Sequence, residues 1–344
     1  MTWLVTLIVL LISFCTNFAF PTSANDYNAN SKTLNFGKNK LCITKDIGKI
    51  TDIKLTNNNA IVVSGEKGAI ELNENKVIKN TSFAKEGYWY NAIISNNDIN
   101  YYNSGGAWSN AIILNSDGKL VWEQPSNISP NAIIPILTNN IMSYIIGYNA
   151  NGGISKISSI GKLEWNHADS NVWSVELIDS DGDGTPEIFH TNALGIIVVR
   201  DLSGNIIKRV KLPIYATLLS RVDWPQNAKK QNLIVTENNM IYIIDSFSFK
   251  KLFEIKLDVS KLARITSTTI DYYNNKLLCI LVNSLKESAL YIYNDKYKLV
   301  FKEKFPFDKV TIFIPKNNLF HKVNFILGYS DTVWSYSLEE TNKE

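Results

Sequence analysis

Ala111-Ile-Ile-Leu-Asn-Ser-Asp-Gly-Lys-Leu-Val-Trp122 reads as a short apolar strand, a tight turn and a second strand. The Asp117-Gly118 pair supplies the backbone freedom that a close hairpin needs. The same pattern returns in Gly153-Ile-Ser-Lys-Ile-Ser-Ser-Ile-Gly-Lys-Leu-Glu-Trp165 and Gly195-Ile-Ile-Val-Val-Arg-Asp-Leu-Ser-Gly-Asn-Ile-Ile207. It returns again in Met240-Ile-Tyr-Ile-Ile-Asp-Ser-Phe-Ser-Phe249 and Ala289-Leu-Tyr-Ile-Tyr-Asn-Asp-Lys-Tyr297. Ala69-Ile-Glu-Leu-Asn-Glu-Asn75 is a weaker early copy, and Thr332-Val-Trp-Ser-Tyr-Ser-Leu338 reads as a last copy with nothing after it.

Between these copies lie further β-rich runs, split by Gly, Asn, Asp and Ser clusters, and no long amphipathic helix pattern interrupts them. A recurrence of roughly 40 residues with four strands per unit predicts an all-β fold, a β-propeller of four-stranded antiparallel blades. Counting copies predicts seven blades, starting near Ile50, Tyr88, Ile128, Asn171, Ala216, Ala263 and Asp308. Six and eight stay open, because the first and last copies are degenerate. The seventh blade lacks a fourth strand before the chain ends. Thr33-Leu-Asn-Phe-Gly37 or Leu41-Cys-Ile-Thr44 is expected to supply it and close the ring, since an open ring would leave exposed sheet edges.

One blade carries chemistry of its own. Val175-Glu-Leu-Ile-Asp-Ser-Asp-Gly-Asp-Gly-Thr-Pro-Glu-Ile-Phe189 is a strand, an acidic loop and a second strand. Asp179, Asp181 and Asp183 place carboxylates at positions one, three and five, Thr185 a carbonyl at seven and Glu187 a carboxylate at nine. An oxygen-only set suits Ca²⁺, which takes roughly six to eight oxygens in flexible geometry. An EF-hand would need glutamate at position twelve, where this chain has His190. A solvated acidic turn without metal is the plain alternative, although three neighbouring carboxylates repel unless a cation offsets them.

Asp179-Ser-Asp-Gly-Asp-Gly-Thr-Pro-Glu187, followed by Gly195-Ile-Ile-Val-Val-Arg-Asp-Leu-Ser-Gly204, resembles the FG-GAP/VCBS-type repeat of secreted and cell-surface propellers. The resemblance implies that this loop joins the first and second strands of its blade and binds Ca²⁺. Asp179, Asp181, Asp183 and Glu187 would then serve as side-chain ligands and Thr185 as a main-chain one. Asp223-Trp-Pro-Gln-Asn227, Asp271-Tyr-Tyr-Asn-Asn275 and Leu137-Thr-Asn-Asn140 do not keep the spacing, so one metal is expected. The Gly-Lys-Leu-Val-Trp and Gly-Lys-Leu-Glu-Trp turns also resemble quinoprotein-type propellers and the lipoprotein scaffold of outer-membrane protein assembly. No vicinal cysteine pair or set of quinone ligands accompanies them.

Composition narrows the function classes. Of 344 residues 45% are hydrophobic, enough for a large core. A net charge of +3, from 35 basic and 32 acidic residues, is too balanced for a nucleic-acid or anionic-membrane partner. Trp3 to Phe14 has the length of a signal-peptide core rather than of a membrane span, and Thr22-Ser23-Ala24 offers small residues for cleavage. The expected layout is a signal peptide over 1–24, a linker over 25–32 and the propeller over 33–344. Cys15 keeps a lipid anchor open. Cys42 and Cys279 would be the mature cysteines: a disulfide is possible in an oxidising compartment, but Cys279 sits in Lys276-Leu-Leu-Cys-Ile-Leu-Val282, as a buried thiol would.

The end of the ring opposite the acidic loop collects Tyr88, Trp89, Tyr90, Trp108, Trp173, His190, Asn192 and Asn238, with Glu66 and Lys67 nearby. Trp89, Tyr90, Trp108, Trp173 and His190 are the expected partner-binding residues. Aromatic rings among amides suit a glycan or a protein surface. The plain alternative is that Trp89 and Trp173 fill gaps between blades. His167, His190 and His321 are scattered, and no nucleophile motif appears. The reading is therefore an exported, monomeric, non-catalytic module with one Ca²⁺ and a glycan or protein partner. A polysaccharide lyase or hydrolase using Glu66, His190 or Glu237 is the first alternative, and an envelope-anchored assembly scaffold the second.

Overall fold

The computed structural model describes residues 35–339, apart from 59, 74–75, 96–97, 104–109, 125–128, 139–140, 225–230, 260–261, 273–274 and 316–322. Leu34–Glu344 forms one compact unit. The expected signal peptide and linker, Cys15, Trp108 and His321 lie outside the described residues.

After strand β1 (Asn35–Ile43) and a 3-10 turn at Lys45–Ile47, blade one comprises β2 (Ile50–Leu55), β3 (Ile61–Gly65), β4 (Gly68–Asn73) and β5 (Lys76–Ser82). Blade two holds β6 (Tyr90–Ser95), β7 (Asp98–Asn103), β8 (Ile112–Leu114) and β9 (Leu120–Glu123). Blade three holds β10 (Pro130–Thr138), β11 (Ile141–Tyr148), β12 (Ile154–Ser158) and β13 (Leu163–His167). In blade four are β14 (Val172–Ile178), β15 (Glu187–Asn192), β16 (Ile197–Arg200) and β17 (Ile206–Val210). Blade five has β18 (Leu219–Val222), β19 (Asn232–Glu237), β20 (Met240–Asp245) and β21 (Lys251–Lys256). Blade six has β22 (Leu262–Tyr272), β23 (Asn275–Ser284), β24 (Ser288–Tyr293) and β25 (Leu299–Phe305). Blade seven has β26 (Val310–Phe313), β27 (Phe325–Tyr329) and β28 (Thr332–Glu339).

Six blades are consecutive antiparallel meanders, and the seventh has the order β1-β28-β27-β26. The protein is thus a seven-bladed all-β propeller closed by its N-terminal strand. The two segments expected as alternative closers are one strand: β1 pairs with β28 from Asn35↔Glu339 to Ile43↔Thr332, with a register shift between Lys40 and Cys42.

The ring form follows from strands that are apolar on both faces. Side chains alternate across a strand, and in β23 that alternation separates two cores. Leu277, Cys279 and Leu281 join Val310, Phe325 and Leu327 of blade seven, whereas Leu278, Ile280 and Val282 join Val222, Ile234 and Ile241 of blade five. In β15, Ile188 packs with Ile136 and Ile145 of blade three, and Phe189 with Leu233 and Val235 of blade five. Every successive pair of blades, seven with one, shares such a cluster among the described residues. Strands buried on both faces read as unbroken apolar runs. Outer strands differ: in β5 the first five residues are exposed, and in β17 the first four. Lys76 and Lys79 in β5 and Lys208 and Arg209 in β17 supply the charge that discourages pairing with another sheet edge.

The repeated turn between third and fourth strands has a local cause. Asn115 Oδ1 accepts from the amides of Asp117 and Lys119 at 3.0 and 2.9 Å, and Asn294 Oδ1 from those of Lys296 and Lys298 at 3.0 Å each. Asp201 Oδ1 accepts from Asn205 N at 2.8 Å. These short polar side chains fold the backbone onto themselves.

Inner strands are laced to their neighbours by side chains. Thr51 Oγ1 donates to Tyr90 O at 2.6 Å, and Ala92 N donates to Asp52 Oδ2 at 3.0 Å. Asn131 Nδ2 donates to Val172 O at 2.9 Å, and Leu219 N to Ser174 Oγ at 3.0 Å. Ser220 and Ser267 hydroxyls meet at 2.8 Å, and Asn283 exchanges bonds with both backbone groups of Val310. These bonds tie neighbouring blades to one another, mainly through their first strands.

Candidate metal loop and channel mouth

The acidic loop joins β14 to β15, which pair through Ile178↔Glu187. Asp179 Oδ1 accepts from Gly182 N at 2.7 Å, and its Oδ2 from Gly184 N at 3.0 Å. Asp181 Oδ1 accepts from Asp183 N at 3.1 Å, and Asp183 Oδ1 from Thr185 N at 2.6 Å. The loop thereby curls around its own carboxylates, and Asp179, Asp181 and Asp183 each bring one oxygen to within 4.8 Å of the others. No ion pair engages these three groups among the described residues. Three converging anions with free lone pairs fit the hard-oxygen preference of Ca²⁺.

Glu187 stands outside that convergence. Its Oε2 accepts from the amide and hydroxyl of Ser180 at 2.9 and 2.7 Å, which braces the loop against β15. Blade five holds the loop from the other side. Gln231 Oε1 accepts from Asp179 N at 3.1 Å, and Gln231 N donates to Asp179 O at the same distance. Sequence reasoning missed Gln231, because nothing local marks a residue whose partner lies in another blade.

At the opposite end, the expected partner-binding residues separate. Tyr90 is 0% exposed, packs on Phe83 and donates its hydroxyl to Lys85 O at 2.9 Å. His190 is also 0% exposed. Both are corrected from surface to interior positions: Tyr90 faces the core shared by blades one and two, and His190 the seam between blades three and four. In that seam Arg200 Nε donates to His190 Nε2 at 3.3 Å and Arg200 Nη1 to Gly204 O at 2.7 Å. Asp169 Oδ2 lies 3.9 Å from both residues. Burial pushes the His190 imidazole down to about 4, against the pull of Asp169. Asn192 is buried as well. It donates to Asp169 Oδ1 at 3.0 Å and caps the β15–β16 turn through Leu194 N at 3.1 Å.

Trp173 is half-buried, and its backbone carbonyl receives Asn131 Nδ2 at 3.3 Å. Trp89 is also half-buried, but its surroundings differ. Its ring centroid lies 5.7 Å from the guanidinium of Arg264 in blade six and 5.1 Å from the ammonium of Lys309 at the start of blade seven. Glu66, between β3 and β4, pairs with Lys309. Blades one, two, six and seven thus converge on one point, which in a ring lies at the mouth of the central channel. Arg264 was not anticipated from the sequence, since its partners are remote in the chain.

The three groups considered as acids and bases do not assemble. Glu66 is held by Lys309, His190 by Arg200, and Glu237 Oε1 by Tyr215 N at 2.7 Å. Cys42 and Cys279 are free thiols, and burial pushes Cys42 up to about 11. A separate cavity of about 220 Å³ opens between blades two and three beside Trp122, Gln124, Tyr148 and Asn166.

No family model and no curated protein sequence matches this chain. Solved structures do. One structure of BBS1N in complex with ARL6DN, soaked with mercury, matches with a TM-score of 0.57 and 12% identity over 91% of this chain and 92% of that one. A second, soaked with lead, matches with a TM-score of 0.55 and 12% identity over 83% and 89%. The crystal structure of BamB from Moraxella catarrhalis matches with a TM-score of 0.51 and 14% identity over 84% and 85%. At these identities the likeness is one of fold, and the chain takes its place among seven-bladed propellers.

Proposed function

We propose that this protein is an exported, non-catalytic propeller that binds a protein partner at its channel mouth and carries one structural Ca²⁺ in blade four. The observation that carries the binding role is the convergence of four blades on Trp89. Aromatic and arginine side chains are the groups most enriched in protein-binding hot spots. BBS1N, a propeller of similar fold, was solved in complex with ARL6DN, which supports a protein-binding use of this architecture. Export rests on the apolar Trp3 to Phe14 run; among the described residues no helix is long and apolar enough to cross a membrane.

In the metal loop, Asp179, Asp181 and Asp183 would hold the ion. The ion would supply the positive charge that lets three carboxylates sit together, and so would tie β14 to β15. Glu187 and Thr185 are proposed to support the site, Glu187 from its brace on Ser180.

A glycan is the second reading, favoured by the cavity between blades two and three. There the Trp122 ring lies beside Gln124, Tyr148 and Asn166, apolar wall and amides together. One experiment separates these readings from an enzyme. The protein is incubated in Ca²⁺ with candidate partner proteins and a panel of polysaccharides, and retention and release of new chain ends are both read. Retention of a protein, lost in Trp89→Ala, is the expected result. Release of chain ends would overturn the non-catalytic reading, and retention of a polysaccharide lost in Trp122→Ala would establish the glycan one.

A further inference from the structure

Among the described residues, the channel mouth holds a cation with no anion of its own. Arg264 projects from the inner strand β22, is half-buried, and forms no ion pair among the described residues. Lys309, which shares the Trp89 ring with it, is already compensated by Glu66. The guanidinium carbon of Arg264 lies 5.7 Å from the ring centroid of Trp89, which precedes the first strand of blade two, so the side chain reaches across from blade six to blade two.

A guanidinium stays charged at every accessible pH and presents five donors in a planar fork. Withdrawing it partly from water without an anion is unfavourable, and the ring face of Trp89 offsets only part of that. The groups that match such a fork are carboxylates, which take two parallel hydrogen bonds. Trp89 forms an apolar wall beside the same point. A ligand that satisfies both is an anion carried on an apolar stem.

We infer that the channel mouth recognises an acidic side chain of an extended peptide segment, with Arg264 as the carboxylate fork and Trp89 as the stacking wall. This rests on the protein-binding reading and names the chemistry of its partner. Lys309 would act as a second, weaker cation, available to the extent that the incoming carboxylate competes with Glu66.

The test is a selection of short random peptides displayed on phage against the Ca²⁺-loaded protein, followed by affinity measurement on synthetic copies. The expected outcome is enrichment of Asp and Glu beside apolar residues. Affinity should fall at least about tenfold in Arg264→Gln and less in Arg264→Lys, which keeps the charge but loses the fork. Replacing the selected Glu by Gln should reproduce the loss in the wild-type protein, so the result does not depend on the variants folding well. Peptides without acidic residues, or bound equally by Arg264→Gln and the wild type, would overturn the inference and leave a protein-binding propeller that works through another surface. Failure to select any peptide, with a protein partner still retained and lost in Trp89→Ala, would also overturn it and point to a folded rather than an extended partner.

Discussion

Arg200 Nε donates to His190 Nε2 at 3.3 Å, deep between blades three and four, and thereby places the imidazole proton on Nδ1. His190 is 0% exposed and Arg200 2%. Burial first, and then the charges of Arg200 and Arg209, hold the imidazole neutral, and its value falls to about 4 while Asp169 opposes the shift. The unfolded chain accepts a proton near the ordinary value of about 6.5, and the folded protein refuses it until about 4. Between those values the unfolded state binds more protons, so stability falls as pH falls. The contribution is complete above about 6.5 and flat below about 4.

His190→Gln should therefore flatten the pH dependence of stability. The drop in unfolding free energy from pH 7 to pH 5 should be smaller than in the wild type by about 2 kcal/mol, read from urea denaturation at both pH values. Equal drops in the two proteins would show that His190 titrates normally and that the seam admits water.

The metal loop gives a second prediction. Asp181 and Asp183 each accept a single loop amide, whereas Asp179 accepts two and is clasped by Gln231. The pair Asp181→Ala and Asp183→Ala thus removes ligands with little loss of scaffold. A ligand at one hundred times its dissociation constant stabilises the folded state by about 2.7 kcal/mol. For a chain of this size that is a melting temperature higher by roughly 4 °C. The double variant should lose this increment in Ca²⁺ and melt close to the wild type in chelator. An identical loss in both media would mean that the loop is held by its own hydrogen bonds and needs no cation.

A lysine packs into the seam where the ring closes. Lys38 of β1 places its ammonium 2.8 Å from Glu303 and 4.8 Å from the centroid of Trp334. Tyr329, Tyr336 and Phe305 surround it at 5.4, 5.4 and 5.9 Å. Lys38→Met keeps the aliphatic stem and removes the charge, with an expected loss of about 1–2 kcal/mol. Amide exchange across β1 and β28 should accelerate ahead of the other blades, as a locally opening edge requires. Unchanged exchange in β1 would assign closure to the backbone ladder alone.

Two glycines of blade four separate backbone strain from crowding. Gly184 has φ +93° with nothing within 4 Å of an added Cβ, whereas at Gly204, φ +89°, that Cβ would lie 2.4 Å from His167 Nε2. Gly184→Ala should cost about 1 kcal/mol, from the left-handed conformation alone. Gly204→Ala adds a clash with blade three and should cost about 2–4 kcal/mol. Chemical denaturation of both variants measures the difference; similar losses would show that the seam yields to fit the methyl.

Legibility in the sequence tracked how local each feature is. Blade starts near Ile50, Tyr88 and Asn171 fall within two residues of β2, β6 and β14, because strand and turn preferences reside in neighbouring residues. Asn115, Asp201 and Asn294 build their turns from their own side chains, so the repeat can be read without any partner. The acidic loop is local in its carboxylate spacing, and its three aspartates converge as that alternate spacing requires.

The surface opposite the loop was not legible. Trp89 and Tyr90 are adjacent in the chain, yet one ring faces the channel mouth and the other the core between blades one and two. A strand points successive side chains to opposite sides, and which side holds the core depends on where the next blade lies. His190, polar and flanked by turn residues, reads as a surface group until the seam against Asp169 closes over it.

The linear chain thus determined the repeating four-strand blade and the spacing of the acidic loop, since each rests on interactions among near neighbours. The count of seven, read with six and eight open, was fixed by the pairing of β1 with β28. The tertiary structure alone decided that Arg264 would meet Trp89, that Gln231 would clasp Asp179 and that Tyr90 and His190 would lose contact with water. Those outcomes depend on closing the ring, which brings together residues that no periodicity along the chain connects.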